Sequence, residues 1–600
     1  MSKNPFRDIP HYLSVFQAYL GARMYLIFAL TLIAALSEGF GILMLLPLLQ
    51  GLDSGAAEQV PGIGQLFSDL LAYLGWGVGS VPVLFVITIA FIVKGGLTFG
   101  ALGYNAYLRA QLLRELKGRL FDDYSRMSHW YYTQRDTGHF INVINEQITQ
   151  TLNAFKSLVQ LGSQLVTTGV YLALAFAVAW RFGLMALVLG VGLLLLFRWL
   201  NVYVRVLSRK TVAESGHLAK LLIQFLHAFK YLTATGQARH LRTTVTASIG
   251  RYTDYEMRRG IVESFTLAVR EPVLVVILML LVVVQLLLLN QPLAPILVSI
   301  LLFYRGLNAI LGIQAYWLAT LSQIGSLELV RDEFAAQHQH CEPDGFQAVP
   351  PLSRGITFRH VYFRYDPALP DVISDISLEI PVRTSVALVG ESGAGKSTIV
   401  DLITLMLKPN LGQVLIDGVP ADEVQLASWR SQIGYVSQET VVFDDSIANN
   451  ICMWEGNPQQ DLGLLERIQD AARQAHVAHF IDTLPGGYQT LVGDRGVRLS
   501  GGQRQRLFIA RELFRKPNLL ILDEATSALD SESERYIQQS IDDLKGRITV
   551  VIIAHRLSTI RNVDYIYVFD QGHVVEHGPY QHLRDAHDSR FGKLIAMQSL

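Results

Sequence analysis

Apolar residues come in long unbroken runs before about residue 330 and in short runs after it, so the chain changes character once along its length. The first run, Met24 to Gln50, has Glu38 as its only charge and exceeds the roughly 20 residues that cross a bilayer. A second covers Val81 to Leu108 with Lys94 as its only charge, and a third, Ser157 to Trp180, has none. The fourth starts at Phe182 and fades through Arg198 to Val204. The fifth, Pro272 to Asn290, follows a more polar turn containing Arg270 and Glu271, and the sixth, Pro292 to about Ile324, carries Arg305. Six spans are expected, with the polar and aromatic segment at about 8–20 lying on the membrane surface.

Basic residues set the expected orientation. Arg109, Arg114, Lys117, Arg119, Arg126 and Arg135 lie between spans two and three. Arg205, Arg209, Lys210, Lys220 and Lys230 lie between four and five, whereas segment 52–80 has Asp53, Glu58 and Asp69 but no Lys or Arg. Segment 52–80 is therefore expected to face outward and both termini the cytoplasm. The two basic segments, each roughly fifty residues, keep a helical pattern, and a helix of that length is about 75 Å long against a hydrocarbon core of about 30 Å. Spans two to five are thus expected to continue into the cytosol, either as arms that carry a mechanical signal or as a passive bundle.

After a polar tether the periodicity shortens to β-rich runs: Ile356-Thr-Phe, His360-Val-Tyr-Phe-Arg-Tyr365 and Val372 to Ile380. The run Ser385 to Val389 then leads into Gly390-Glu391-Ser392-Gly393-Ala394-Gly395-Lys396-Ser397-Thr398, followed by helical Ile399 to Met406. Strand, G-x-x-x-x-G-K-S and helix together make a phosphate-binding loop. The glycines let backbone N–H groups turn toward phosphate, Lys396 reaches the β/γ-phosphates and Ser397 sits on Mg²⁺. Asn518 to Leu522 reads as a buried parallel strand delivering Asp523 and Glu524 at its carboxyl end. Asp523 is expected in the Mg²⁺ shell, and Glu524 as the group that polarises the attacking water. Leu499-Ser500-Gly501-Gly502-Gln503 precedes a helical run and offers a second anion-binding helix start.

That last motif resembles the signature of ATP-binding cassette proteins, and the whole chain is similar to an ABC exporter half-transporter of the six-helix, domain-swapped type. The resemblance implies that Tyr365 stacks on adenine, that Gln438 senses Mg²⁺ and the attacking water, and that Asp530 faces a partner subunit. It also implies that His555 contacts the γ-phosphate, and that ATP lies between the phosphate loop of one subunit and the signature of a second identical one. Ser128 to Asn142 is similar to the segment holding a coupling helix, and Ala228 to Gln237 to its counterpart in the second arm. Asp494 before the signature and Asn449 where relatives carry Glu depart from the pattern without touching hydrolysis. The expected fold class is an α-helical polytopic membrane domain with long cytoplasmic extensions (1–330), a linker (331–355) and an α/β P-loop NTPase cassette (356–600). Cofactors ATP and Mg²⁺, a homodimer, and residence in the plasma (bacterial inner) membrane follow.

Charge and composition narrow this further. The formal net charge is −1, which gives no footprint for nucleic acid, and two distant cysteines, Cys341 and Cys452, give neither a disulfide framework nor a zinc site. His338 and His340 beside Cys341 read as part of a solvated tether. Met1 to Asp8 has neither the apolar core of a cleaved signal nor the Arg/Ser richness of a transit peptide. Ionisable groups inside spans usually face a cavity or a partner, and here they are Glu38, Lys94, Arg270, Glu271 and Arg305. Either they pair internally or, with three positive against two negative, they receive an anionic head group while apolar walls hold a tail. Glu38-Gly-Phe-Gly with Leu46-Pro-Leu-Leu resembles the first span of bacterial lipid-linked oligosaccharide flippases. The expected activity is ATP-driven export or flipping of such an amphiphile. Export of peptides or hydrophobic drugs is the alternative, and an ATP-regulated channel is the alternative of another class.

Overall fold

Long apolar runs without internal breakers give long helices, and the computed structural model shows them in the first of two units. It describes residues 21–44, 80–288, 293–523, 531–554, 557–586 and 589–598. The first unit falls within Met1–Met127 and Tyr131–Cys341, the second within Ser128–Trp130 and Glu342–Leu600. The main helices of the first are α1 (Arg23–Leu43), α2 (Ser80–Ser125), α3 (Thr137–Asn142) and α4 (Ile148–Leu196). They continue as α5 (Arg198–His227), α6 (Ala238–Leu288), α7 (Leu293–Leu321) and α8 (Ile324–Gln339). With 46 residues, α2 is about 70 Å long. On it Leu108, Leu112, Leu116 and Leu120 recur every fourth residue, all buried in one core with Leu152, Phe155, Trp317 and Leu321. Val81, Ile92 and Phe99 point outward on the same helix. Being apolar on its outer face as well suits it to a solvent of lipid tails.

Among the described residues three helices are long and apolar enough to cross a membrane, or four if Leu187–Leu196 and Arg198–His227, joined by a 40° bend, count as one. The expected count of six is not recovered. The runs read as spans three and four fall within the single helix α4 and its continuation α5. Where those runs meet, residues 177–183 hold one charge, Arg181, and one glycine, Gly183, with no proline to stop a helix. The fifth and sixth runs belong to α6 and α7, whose side chains at 280–282 and 284–299 lie outside the described residues, as do segments 8–20 and 52–79.

The structure also revises the tether. Residues 331–339 are helical, continuing α8, with Ile324, Leu327, Val330, Glu333 and Gln337 buried on one face. Glu333 can be buried because its Oε1 accepts from both Tyr131 Oη and Gln337 Nε2, each at 3.1 Å, and its Oε2 lies 2.8 Å from His139 Nε2. Burial alone would raise its carboxyl, but the bonds from His139 and Gln337 and the charges of His139 and Arg135 outweigh that and hold it below the usual range. A buried carboxylate paired by distant residues looks like a solvated one in sequence.

In the second unit the short runs form strands β1 (Gly355–Phe363), β2 (Ile373–Pro381), β3 (Ser385–Gly390), β4 (Leu411–Ile416) and β5 (Val419–Pro420). These are followed by β6 (Ile433–Val436), β7 (Leu519–Asp523), β8 (Thr549–Ile553), β9 (Tyr565–Asp570) and β10 (His573–Gly578). Among the described residues they make an antiparallel sheet in the order β2-β1-β4-β5 and a larger one in the order β10-β9-β3-β8-β7-β6. From β9 to β6 the larger sheet is parallel, with only β10 antiparallel at its edge. It is buried on both faces: Ala387, Val389, Leu520, Leu522, Val550 and Ile552 enter one core, and Val386, Leu388, Leu519, Ile521, Val551 and Ile553 the other. Sheets covered on both sides need such continuous apolar strands.

The turn after β4 ties the antiparallel sheet to the incoming chain. Asp417 accepts from the backbone N–H of Ser353 (2.8 Å), Arg354 (2.7 Å) and Gly355 (2.9 Å) and from the Ser353 hydroxyl (3.0 Å). Burial would raise its carboxyl, yet these donors outweigh it and hold Asp417 below the usual carboxylate range. Asp417→Asn is expected to destabilise the second unit by about 1.5–3 kcal/mol, the scale of hydrogen bonds to a charged group. Because the folded value is depressed, the contribution is complete above the unfolded value of about 3.9 and vanishes as pH falls through the folded one. Thermal unfolding of both proteins should therefore diverge at neutral pH and converge in acid; a gap that persists at low pH would contradict the charge-based account.

Candidate functional site

Parallel strands deliver their carboxyl ends to one edge of a sheet, and the register shows which residues meet there. Leu388 of β3 pairs with Ile553 of β8, and Ile553 pairs with Asp523 of β7. Leu522 pairs in turn with Val436 of β6. The phosphate loop leaves β3 directly above this row, Gln438 follows β6 by two residues, and Asp523 closes β7. With strands about 4.8 Å apart, Asp523 lies two strands, about 10 Å, from the loop. Glu524, Asp530 and His555 lie outside the described residues.

The loop's shape is dictated by glycine at two points. Gly390 has φ 156° and a Cβ there would stand 2.3 Å from the carbonyl oxygen of Phe569 on the adjacent strand. Gly395 has φ 99°, and its Cβ would stand 2.7 Å from Ile373 Cδ1. Any side chain would push the backbone out of the curl that aims its amides inward. Helix α9 (Lys396–Ile403) starts immediately after, with Lys396 buried and its Nζ donating to the carbonyls of Gly390 and Glu391, both at 2.8 Å. The ammonium is thereby held over the mouth of the loop. Ser397 is exposed beside it, as are Glu391, Ser392 and Gly393, while Ala394 and Thr398 are buried. Tyr365 presents its ring edge-on to Phe363 at 5.0 Å, and its hydroxyl lies 3.1 Å from Thr398 Oγ1. Within the same unit Trp130 lies nearly parallel to Tyr365, with centroids 6.1 Å apart and planes 21° apart.

Two acidic-site neighbours were not singled out from sequence. Tyr435 Oη donates to Asp523 Oδ2 at 3.3 Å, and burial, with the charges of Asp523 and Asp401, pushes its pKa up so that the proton stays on. Burial pushes the Asp401 carboxyl above its usual range as well; His129 opposes this and Asp523 adds to it. The signal for Asp401 was available, since it stands four residues after Ser397 and so on the same face of α9.

The signature forms the start of α10 (Gly501–Phe514). Ser500 Oγ accepts from the Gln503 amide at 3.2 Å while Gln503 Oε1 accepts from the Ser500 amide at 2.8 Å, a reciprocal capping box. Those two amides are satisfied internally, which leaves the Gly501 and Gly502 amides at the helix start without intrahelical partners. Further along, the buried Arg511 binds the Val441 carbonyl (2.7 Å), the Asn450 carbonyl (2.7 Å) and Asn450 Oδ1 (2.9 Å). It ties the helix that begins at the signature to the segment that follows Gln438. Nothing in its sequence neighbourhood distinguishes Arg511 from a surface arginine.

In the first unit the five intramembrane charges part company. Lys94 Nζ lies 2.6 Å from Glu38 Oε2, and Arg305 Nη1 lies 3.3 Å from Glu38 Oε1, close but out of hydrogen-bond alignment. Arg270 instead donates to the Asn308 carbonyl at 2.8 Å, and Glu271 is exposed. Only Glu38, Lys94 and Arg305 form a cluster.

Residues 373–527 match the family model described as ABC transporter. The heterocyst differentiation ATP-binding protein HepA of Nostoc sp. is 31% identical over 557 residues, covering 92% of this chain and 90% of that one. The ATP-dependent lipid A-core flippase of Haemophilus influenzae is 32% identical over 548 residues, covering 87% and 90%; that of Coxiella burnetii is 30% identical over 533 residues, covering 86% of each. A solved bacterial Atm1-family ABC exporter with ATP bound superposes with a TM-score of 0.78 at 25% identity, covering 97% of this chain and 99% of that one. The chain belongs to the ABC transporter family, as an exporter half-transporter that couples ATP hydrolysis in its cassette to transport by its helical domain.

Proposed function

We propose that the chain acts as a homodimer in the bacterial inner membrane and moves an amphipathic lipid with an anionic head group. The observation that carries the lipid reading is the likeness, over 86% of the chain and more, to proteins named ATP-dependent lipid A-core flippases. The cluster of Glu38, Lys94 and Arg305 within apolar helices supports a charged head group.

In this reading Tyr365 stacks on adenine. Gly390 to Thr398 wrap the phosphates, and Ser500 to Gln503 with Asp530 of the second copy close over them. The Ser397 hydroxyl and Asp523 carboxylate are hard oxygen donors of the kind Mg²⁺ takes, with Gln438 beside them, and the metal would neutralise phosphate charge. Glu524 orients water and His555 meets the γ-phosphate. ATP binding draws two cassettes together, the segments around 128–142 and 228–237 pass closure to the helices, and loss of the γ-phosphate contacts lets the pair part. A labelled lipid-linked glycan phosphate in proteoliposomes should change leaflet only with hydrolysable ATP. Movement of hydrophobic peptides instead would favour the second reading, and flux surviving without hydrolysis would point to a channel.

A further inference from the structure

A cavity of about 230 Å³ opens inside the first unit between α1, α2 and α4, with Glu38 and Lys94 among its walls. Lys94, Thr98 and Asn105 lie at helical spacing on one face of α2, so the slot extends about 16 Å along the helices. Gln160 and Ser163 of α4 supply further amide and hydroxyl groups to its wall. Two features of it are unbalanced. At the Lys94 end, one carboxylate faces two cations, Lys94 and Arg305, leaving an excess positive charge in an apolar setting where charge is costly. Lys94 carries three N–H donors, of which the contact at 2.6 Å to Glu38 uses one. At the other end Asn105 is 7% exposed, and its Oδ1 is buried with no hydrogen-bond partner among the described residues. An unpaired buried acceptor is costly, and a ligand that donates to it removes that cost.

We infer that this slot binds the head group of the transported amphiphile, with an anionic group at Lys94 and a hydroxyl donor at Asn105. The ligand class is a glycosylated phosphate amphiphile. The slot is smaller than the roughly 300–1,000 Å³ of drug-sized sites, so it takes the head and leaves the tail to the lipid-facing surface. Glu38 positions Lys94 without meeting the anion. This inference rests on the lipid reading above and adds to it where, and by which groups, the lipid is recognised.

The test measures binding to the full-length protein in phosphatidylcholine nanodiscs. Four probes are used: dodecyl phosphate, dodecyl glucoside, a dodecyl-phosphate-linked glucose, and dodecyltrimethylammonium. The glycosylated phosphate should bind tightest and the ammonium weakest. Lys94→Gln should weaken both phosphates about 10- to 100-fold and leave the glucoside nearly unchanged; Lys94→Arg should restore the preference for charge. Glu38 keeps Arg305 as a partner in Lys94→Gln, so the fold is expected to survive. Asn105→Leu, which keeps every charge, should remove about 3- to 10-fold only from the probes bearing glucose. Equal loss across all probes, a charge preference that survives Lys94→Gln, or glucose selectivity unchanged in Asn105→Leu would overturn the inference. If wild-type protein still flips lipid in vesicles after such a result, the lipid reading stands and only the slot assignment falls. If it flips none, the reading itself falls.

Discussion

Glu524→Gln is expected to lower ATP turnover by about 10²–10⁴-fold, the usual contribution of a positioned general base, while leaving nucleotide affinity nearly unchanged. The expectation comes from place in the chain. Glu524 directly follows Asp523, which ends β7 in register with Ile553 of β8, itself paired with Leu388 on the strand that leads into the phosphate loop. A carboxamide is close in size to the carboxylate but cannot take a proton from water, so chemistry stops with ATP in place. The cassettes should then remain closed on their nucleotide. Two measurements check this: steady-state phosphate release, and inter-cassette distance in the presence of ATP-Mg. Turnover near the wild-type rate would mean that another group activates water.

Lys396→Ala is expected to weaken nucleotide binding by at least about 100-fold, corresponding to the loss of charge-assisted hydrogen bonds worth about 3 kcal/mol. The side chain does two things in the proposed site that alanine cannot. Its ammonium would meet phosphate charge, and its bonds at 2.8 Å to the carbonyls of Gly390 and Glu391 brace the loop from within. Lys396→Ala removes both together, whereas Lys396→Arg keeps the charge on a larger planar group that fits a buried position poorly. Equilibrium binding of a fluorescent ATP analogue to the intact dimer should fall steeply in the first variant, with thermal stability reduced only slightly. Unchanged affinity would remove Lys396 from the phosphate site.

The two halves of the chain were legible to different degrees. In the cassette, Val386 to Val389 and Leu519 to Leu522 are apolar throughout, as a parallel strand buried on both faces demands in so short a run. The loop after the first and the acids after the second then follow in fixed places. The helical half was legible as apolar runs, since lipid tolerates any apolar residue and selects only for length. Where one helix ends and the next begins was not, because a join such as 177–183 carries no proline and one glycine. Residues 331–339 looked like tether because Glu333 and Gln337 are polar. Tyr131 and His139, the distant partners of Glu333, lie about two hundred residues away.

What the sequence determined by itself was the local chemistry. The glycines of 390–395, the lysine after them and the signature at 500–503 each work with groups only a few residues away, so a few consecutive residues suffice to specify them. Only the tertiary structure decided which distant groups share a space. Glu38 keeps Lys94 and Arg305 and leaves Arg270 to a backbone carbonyl, and Arg511 reaches Val441 and Asn450. A buried charge must find a counter-charge or a donor wherever packing brings one near, and nothing in its own stretch of chain records which one that is.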